Sequence, residues 1–132
     1  MLETDDAALI IGDPAMLIDR TKLKVYDLAE EWRKHTGLPF VFAFWAVRGD
    51  SKIGIGEVDF ARAKREGLAR TNELADRYAQ SLGLPHDELV TYLTENICYD
   101  LDEESLRGLN LYYQFAAECG LIDGARELSF LD

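Results

Sequence analysis

The stretch that decides the fold lies between residues 36 and 48 and reads Thr36-Gly37-Leu38-Pro39-Phe40-Val41-Phe42-Ala43-Phe44-Trp45-Ala46-Val47-Arg48. A glycine and a proline stand at its start, where the backbone can turn and then stiffen. Eight apolar residues follow, rich in aromatic and β-branched types. A run of this length between turn residues is typical of a strand buried on both faces, and it is too short to cross a membrane. We therefore predict a central core strand from residue 40 to 47.

The residues before this stretch alternate between short apolar runs and helix-forming segments. Residues 7–11 are apolar and lead into Gly12-Asp13-Pro14, which predicts a strand, a sharp turn and a brief helix over 15–19 capped by Asp13. A second short strand is predicted over 24–26, followed by a helix over 28–35. Because strands and helices alternate in this way, the pattern favours an α/β fold with parallel pairing.

After a polar loop over 51–56, the pattern is helical from residue 57 almost to the end. Gly67 is a candidate break, Gly83 a stop, and Pro85 opens a further helix. Asp27 and Asp102 are predicted N-caps, because a side-chain carboxylate accepts hydrogen bonds from the first free N–H groups of a helix. The last helix is predicted to end at Gly120 and to bury a stripe made of Leu106, Leu109, Tyr113, Ala116 and Ala117.

Composition limits the classes of function. The 132 residues predict one domain, and 25 acidic against 14 basic residues set a net charge of −11. This balance argues against nucleic-acid binding. Because an acidic chain repels anions at long range, any anion site must be built locally. The acidic start lacks the layout of a signal peptide, which predicts a cytoplasmic protein without membrane insertion. Cys98 and Cys119 are then expected to be reduced thiols in the core.

Two positions are candidates for ligand contact on sequence grounds. Gly12-Asp13 follows a predicted strand, where α/β sheets bind ligands, although a capped turn explains the same residues. Thr36-Gly37 follows a helix, and a helix C-cap explains that pair without a ligand. Neither histidine belongs to a triad or a metal-ligand pattern, and the sequence contains no phosphate loop or GxGxxG. The residues alone predict an α/β protein with a candidate anion site at Gly12-Asp13.

Three motifs in order carry a family resemblance. They are DAALIIGDPA (6–15), VYDLAEEW (25–32) and TGLPFVFAFWAVR (36–48). Together they resemble the menaquinone-biosynthesis family of the futalosine pathway. Within it the chain looks like the chorismate dehydratases more than the sister 1,4-dihydroxy-6-naphthoate synthases, which continue after Thr-Gly-Leu-Pro with a segment richer in glycine and proline.

The resemblance implies a fold like that of type 2 periplasmic binding proteins, with two α/β lobes around a ligand cleft. It covers only the C-terminal half of such a protein. Residues 1–37 would then complete the second lobe, 38–50 would cross between lobes, and 51–132, helix-rich after residue 56, would pack on the first lobe. We expect the chain alone to be inactive and to self-associate through the surface left by the missing half.

The implied activity is that of a lyase, the dehydration of chorismate to 3-[(1-carboxyvinyl)oxy]benzoate, with no metal or organic cofactor. The resemblance and the strand-end and hinge positions predict that substrate contacts Gly12, Asp13, Thr36, Gly37, Leu38, Pro39 and Phe40. No convincing base for the ring proton is present in this half. The alternative is a non-catalytic module of the same fold that binds a small anion or a protein.

Overall fold

The computed structural model describes residues 5–48, 59–125 and 127–130. The chain divides into two units, one made of residues 1–25 and 70–97 and the other of residues 26–69 and 98–132. The first unit contains α1 (Asp13–Met16), α4 (Thr71–Leu82), α5 (His86–Thr91) and a π-helical turn (Tyr92–Asn96). The second contains α2 (Leu28–Thr36), α3 (Phe60–Ala69) and α6 (Glu103–Glu118).

In the first unit, α4 and α5 pack against each other around small and branched side chains. Ala75 on α4 and Leu89 on α5 are buried. Helix α4 ends at Gly83, as predicted, and the N–H of Leu84 donates to the carbonyl of Ala79. Pro85 comes directly before α5, also as predicted. The π-helical turn that follows was not predicted, because nothing in the residue pattern distinguishes it from one more α-helical turn.

In the second unit, both predicted aspartate caps are confirmed. The Oδ1 atom of Asp27 accepts hydrogen bonds from the N–H groups of Ala29 and Glu30 at 2.9 and 3.2 Å. Asp102 accepts from the N–H of Ser105 at 2.8 Å. These bonds satisfy N–H groups that a helix leaves without partners in its first turn. The hydrogen bond from Ser105 also holds the pKa of Asp102 below its usual range, since it favours the charged carboxylate.

The predicted break at Gly67 is wrong, because α3 runs through it to Ala69. A glycine inside a helix costs about 1 kcal/mol relative to alanine, which its neighbours outweigh. The predicted cap at Asp13 is also wrong. Gly12 occupies the cap position, Asp13 is the first residue of α1, and the cap position provides no side-chain hydrogen bond. The loop predicted over 51–56 and the predicted helix start at residue 57 lie outside the described residues.

The strands predicted over 7–11, 24–26 and 40–47 are not present in the described part of the chain, which is helix-rich and contains no strand. A strand requires a second strand that pairs with it, and the described residues form no such pair. The core position predicted for the central run is wrong as well, since Phe42 is 74% and Trp45 79% exposed. Burying both faces of a strand takes layers above and below it, which the described residues do not supply.

The predicted environment of the two cysteines is also wrong. Cys98 and Cys119 are free thiols, but both are exposed and neither is in the core. Cys119 directly follows the last residue of α6, and Cys98 follows the π-helical turn. Both cysteines have apolar neighbours in the sequence. They are nevertheless exposed, because each lies just beyond the end of a helical segment.

Candidate functional site

The predicted site residues 36–40 form one tightly bonded turn at the end of α2. The hydroxyl of Thr36 donates to the carbonyl of Trp32 at 2.8 Å and accepts from the N–H of Leu38 at 3.1 Å. Gly37 adopts a left-handed conformation (φ 74°), and its N–H donates to the carbonyl of Arg33 at 2.8 Å. A left-handed residue at this position is typical of helix C-termini and favours glycine. The turn is therefore held by its own hydrogen bonds.

Pro39 lies between two helices of the same unit. Its carbonyl oxygen accepts a hydrogen bond from the indole N–H of Trp32 on α2, at 3.2 Å. On the other side Gly108 of α6 approaches so closely that a Cβ atom there would overlap the same oxygen. Gly108 is buried. Because Gly108 has no side chain, the backbone of the turn can lie directly against α6.

Phe40 belongs to a cluster of aromatic rings around Trp32. The Phe40 ring lies edge-on to Trp32, Phe42 and Tyr112, with centroid distances of 5.6, 4.8 and 5.3 Å. Phe115 contacts Trp32 in the same way at 5.9 Å. Edge-on arrangements place the positive edge of one ring against the negative face of another, which stabilises the contact. The cluster joins α2, the turn and α6, and it continues to the exposed ring of Phe42.

The last turn of α2 is rich in basic residues, although the chain is strongly acidic. It contains Arg33, Lys34 and His35, whose side chains are exposed. Lys34 pairs with Glu31 and Glu30, each at 3.0 Å, and these carboxylates raise its pKa. Cations suit this end of a helix because the carbonyl dipoles point toward it. The turn that holds residues 36–40 therefore directly follows three basic residues.

Gly12 and Asp13 lie in the other unit, at the start of α1. Gly12 has φ 70°, and its carbonyl accepts from the N–H of Ala15 at 2.9 Å. Asp13 and Met16 line an open cavity of about 180 Å³, together with residues of α4, α5 and the π-helical turn. The walls include Leu74, Ala75, Tyr78, Leu82, Leu89, Tyr92 and Leu93.

The lining of this cavity is apolar except for one carboxylate. Asp13 is the one charged residue among the described residues that line it, and the other walls are aliphatic or aromatic. Its volume is below the roughly 300–1,000 Å³ of typical ligand pockets. A carboxylate with no cation beside it accepts a hydrogen bond from a hydroxyl and repels an anionic group. The cavity therefore suits a neutral hydroxyl-bearing part of a ligand and disfavours a carboxylate.

His86 joins α4 to α5 on the surface of the first unit. Its Nδ1 lies 2.9 Å from Oδ1 of Asp87, and its Nε2 lies 3.5 Å from Oδ1 of Asp76 on α4. The hydrogen bond to Asp87, with the charge of Asp76 and a bond to the backbone of Asn72, raises the pKa of His86. The side chain is about one-third exposed.

We expect the pairing of His86 to make the first unit less stable at alkaline pH. A histidine whose pKa is raised by folding stabilises fully below its unfolded pKa, and this contribution is lost as the pH rises through the raised value. Urea unfolding at about pH 5.5 and about pH 8 should therefore show a larger fall in stability for the wild type than for His86→Gln. Equal falls in the two proteins would contradict the assignment.

The seven predicted site residues lie in two separate groups in the structure. Residues 36–40 share one turn, whereas Gly12 and Asp13 adjoin each other in the other unit. Gly108 and Tyr112 on α6 were not predicted from the sequence. Tyr113 was placed in the buried stripe instead, one residue away from the ring that contacts Phe40. Within the described ranges no three His, Cys, Asp or Glu residues form a group that would hold a metal ion.

Comparison with known sequences places these residues in a family. The Menaquinone biosynthesis family matches residues 1–118. The chain therefore belongs to the menaquinone biosynthesis family, which confirms the resemblance found in the motifs. A similar curated protein is the chorismate dehydratase of Thermus thermophilus, which is 38% identical over 130 residues. That match covers 85% of this chain and 48% of the relative, so the chain spans about half the length of that relative.

No solved structure matches the chain. Among the described residues, none of the helices combines the length and the apolar character that a membrane crossing requires.

Proposed function

We propose that this chain is part of a cytoplasmic lyase that dehydrates chorismate to 3-[(1-carboxyvinyl)oxy]benzoate in menaquinone biosynthesis. The observation that carries the proposal is the match to the Thermus thermophilus chorismate dehydratase, together with the family match over residues 1–118. In this reaction a ring proton and the ring hydroxyl leave together as water, and the ring becomes aromatic. Aromatisation provides the driving force, so the protein has to position the substrate, neutralise its carboxylates and exclude bulk water.

The two groups of predicted residues take different roles in this proposal. Asp13 accepts a hydrogen bond from the substrate hydroxyl, which fits its position as the carboxylate of an otherwise apolar cavity. Gly12 allows the turn that presents it. The turn from Thr36 to Phe40 lies near a substrate carboxylate, and Arg33 in the last turn of α2 supplies a positive charge against the net −11 of the chain.

The bonds within the turn refine the role of Thr36. Because its hydroxyl already donates to Trp32 and accepts from Leu38, we propose that Thr36 positions the backbone of Gly37, Leu38 and Pro39 for the substrate. Phe40 then offers an aromatic edge to the substrate ring. A base for the ring proton is expected from the part of the enzyme outside this chain or from a carboxylate of the substrate.

The proposed enzyme has two lobes around its cleft. Residues 1–37 complete the second lobe, 38–50 cross between lobes, and 51–132 pack on a first lobe that the chain does not contain. Alone, the chain is then inactive and self-associates through exposed apolar side chains such as Leu9, Ile11 and Phe42, which are 71%, 77% and 74% exposed.

The test is turnover of chorismate by this chain supplied with the half of the Thermus thermophilus dehydratase that the match leaves uncovered. We expect product from the wild-type chain and a loss of at least about tenfold in Asp13→Ala and Thr36→Ala, which is typical when a positioning contact is removed. Asp123→Ala is the control for charge. Thr94→Ala is the control for a helical threonine, because its hydroxyl donates to the carbonyl of Val90 at 2.8 Å as Thr36 donates to Trp32.

The outcomes separate the candidate functions. Product formation supports the lyase, whereas stabilisation by chorismate without product supports the non-catalytic anion-binding module. Unchanged turnover in both Asp13→Ala and Thr36→Ala would overturn the site assignment while leaving the reaction in place. Neither product nor binding with the second half present would contradict both functions.

A further inference from the structure

Tyr112 lies beside the turn from Thr36 to Phe40, on the face of α6 that the turn contacts. Gly108, which the turn approaches closely, is four residues earlier, so the two positions share one face of the helix. The Tyr112 ring meets the Phe40 ring at 90°, with centroids 5.3 Å apart, and the Trp32 ring at 6.0 Å. The aromatic cluster that holds the turn therefore also fixes the position of Tyr112.

Tyr112 remains accessible although its ring is packed. The residue is 43% exposed, and none of the described residues forms a hydrogen bond with its hydroxyl. Phe40 beside it is half-buried and has no polar group. A packed and partly exposed tyrosine offers a ligand both an apolar surface and a hydrogen-bond donor, and it loses little conformational freedom on binding.

We propose that Tyr112 is a substrate-binding residue whose hydroxyl donates a hydrogen bond to the carboxylate on the ring of chorismate. This role rests on the proposed function, in which the turn lies near a substrate carboxylate and Phe40 faces the substrate ring. The chain has a net charge of −11, so donors within the site have to hold that carboxylate against a repulsive field. Because Tyr112 directly neighbours Phe40, its hydroxyl reaches a group attached to the ring itself.

The backbone of the turn does not supply these donors. The N–H of Gly37 donates to a carbonyl of α2 at 2.8 Å, and the N–H of Leu38 donates to the hydroxyl of Thr36 at 3.1 Å. Pro39 has no N–H. The turn thus uses its donors for its own fold, and Tyr112 provides a side-chain donor next to it.

The test compares Tyr112→Phe with the wild-type chain, each supplied with the half of the Thermus thermophilus dehydratase that the match leaves uncovered. The substitution removes the hydroxyl and keeps the ring contacts, so both proteins should unfold at the same urea concentration. The ring carboxylate keeps its charge during dehydration, and its hydrogen bond therefore contributes equally to substrate and transition-state binding. We expect KM for chorismate to rise about tenfold or more, while kcat stays within about twofold.

Tyr113→Phe is the matched control. Tyr113 is the next residue of α6, and among the described residues its ring contacts that of Tyr112, at 6.0 Å, and not that of Phe40. Benzoate tests which carboxylate is bound, because it has the ring carboxylate and lacks the side chain of chorismate. Its inhibition constant should rise by the same factor as KM in Tyr112→Phe and should be unchanged in Tyr113→Phe.

Two kinetic outcomes would overturn the proposal. The first is a KM for Tyr112→Phe equal to that of the wild type or of Tyr113→Phe. The second is a rise in KM without a change in the inhibition constant of benzoate, which would assign the hydroxyl to the side-chain carboxylate.

A wild-type mixture that forms no product would contradict the proposed function, and direct titration with 3-[(1-carboxyvinyl)oxy]benzoate then decides the role of Tyr112. This compound keeps both carboxylates and is not turned over. Binding at least about tenfold weaker to Tyr112→Phe than to Tyr113→Phe would support the contact. Equal binding to the two variants, or no binding to the wild type, would overturn it.

Discussion

Trp32→Ala is expected to lower the free energy of unfolding of the second unit by about 3 kcal/mol, the lower end of the range for truncating buried aromatic residues. The lower end applies because Trp32 is half-buried. The indole contacts Phe40, Tyr112 and Phe115 and donates to the carbonyl of Pro39, so one substitution separates α2 from both the turn and α6. Chemical unfolding followed by circular dichroism measures the change.

Two companion variants divide this effect. Trp32→Phe keeps an aromatic ring and removes the N–H donor, which should cost about 1 kcal/mol for the lost hydrogen bond. Trp45→Ala removes the other tryptophan of the chain, and because Trp45 is 79% exposed its effect should stay within about 0.5 kcal/mol. A loss in Trp45→Ala equal to that in Trp32→Ala would contradict the position of Trp32 at the centre of the cluster.

Gly108→Ala is expected to destabilise the second unit by about 1–3 kcal/mol, although alanine is the better helix former. The added Cβ would overlap the carbonyl oxygen of Pro39 and would lie 3.6 Å from the Cβ of Leu38. The overlapping atom belongs to the backbone, so α6 or the turn has to move. The same movement would weaken the hydrogen bond from Trp32 to Pro39.

Gly67→Ala is the matched control for Gly108→Ala. Gly67 also lies inside a helix, but a Cβ there meets no atom within 4 Å. We expect Gly67→Ala to be neutral or to stabilise by up to about 1 kcal/mol, through helix propensity alone. A Gly108→Ala protein as stable as the wild type would show that the turn does not lie against α6.

The helix ends were predictable from sequence because their partners are local. Asp27 and Asp102 accept from N–H groups two or three residues away, and Gly37 and Gly83 end their helices through their own conformation. The break expected at Gly67 failed because a single glycine is a weak signal against nine helix-forming neighbours. The residues of the Thr36–Phe40 turn were selected by motif, whereas the bonds that hold it emerge only from the folded chain.

The order of the three motifs was enough to assign the family, since it depends only on residue identity and spacing. Sequence by itself also determined the turn after α2 and the capped starts of α2 and α6, because their hydrogen bonds close within a few residues. Tertiary structure decided what sequence could not: that Gly108, some 70 positions after Pro39, lies against its carbonyl, and that the apolar run after Phe40 is exposed. Burial depends on what covers a residue, and the described chain leaves residues 42–47 exposed.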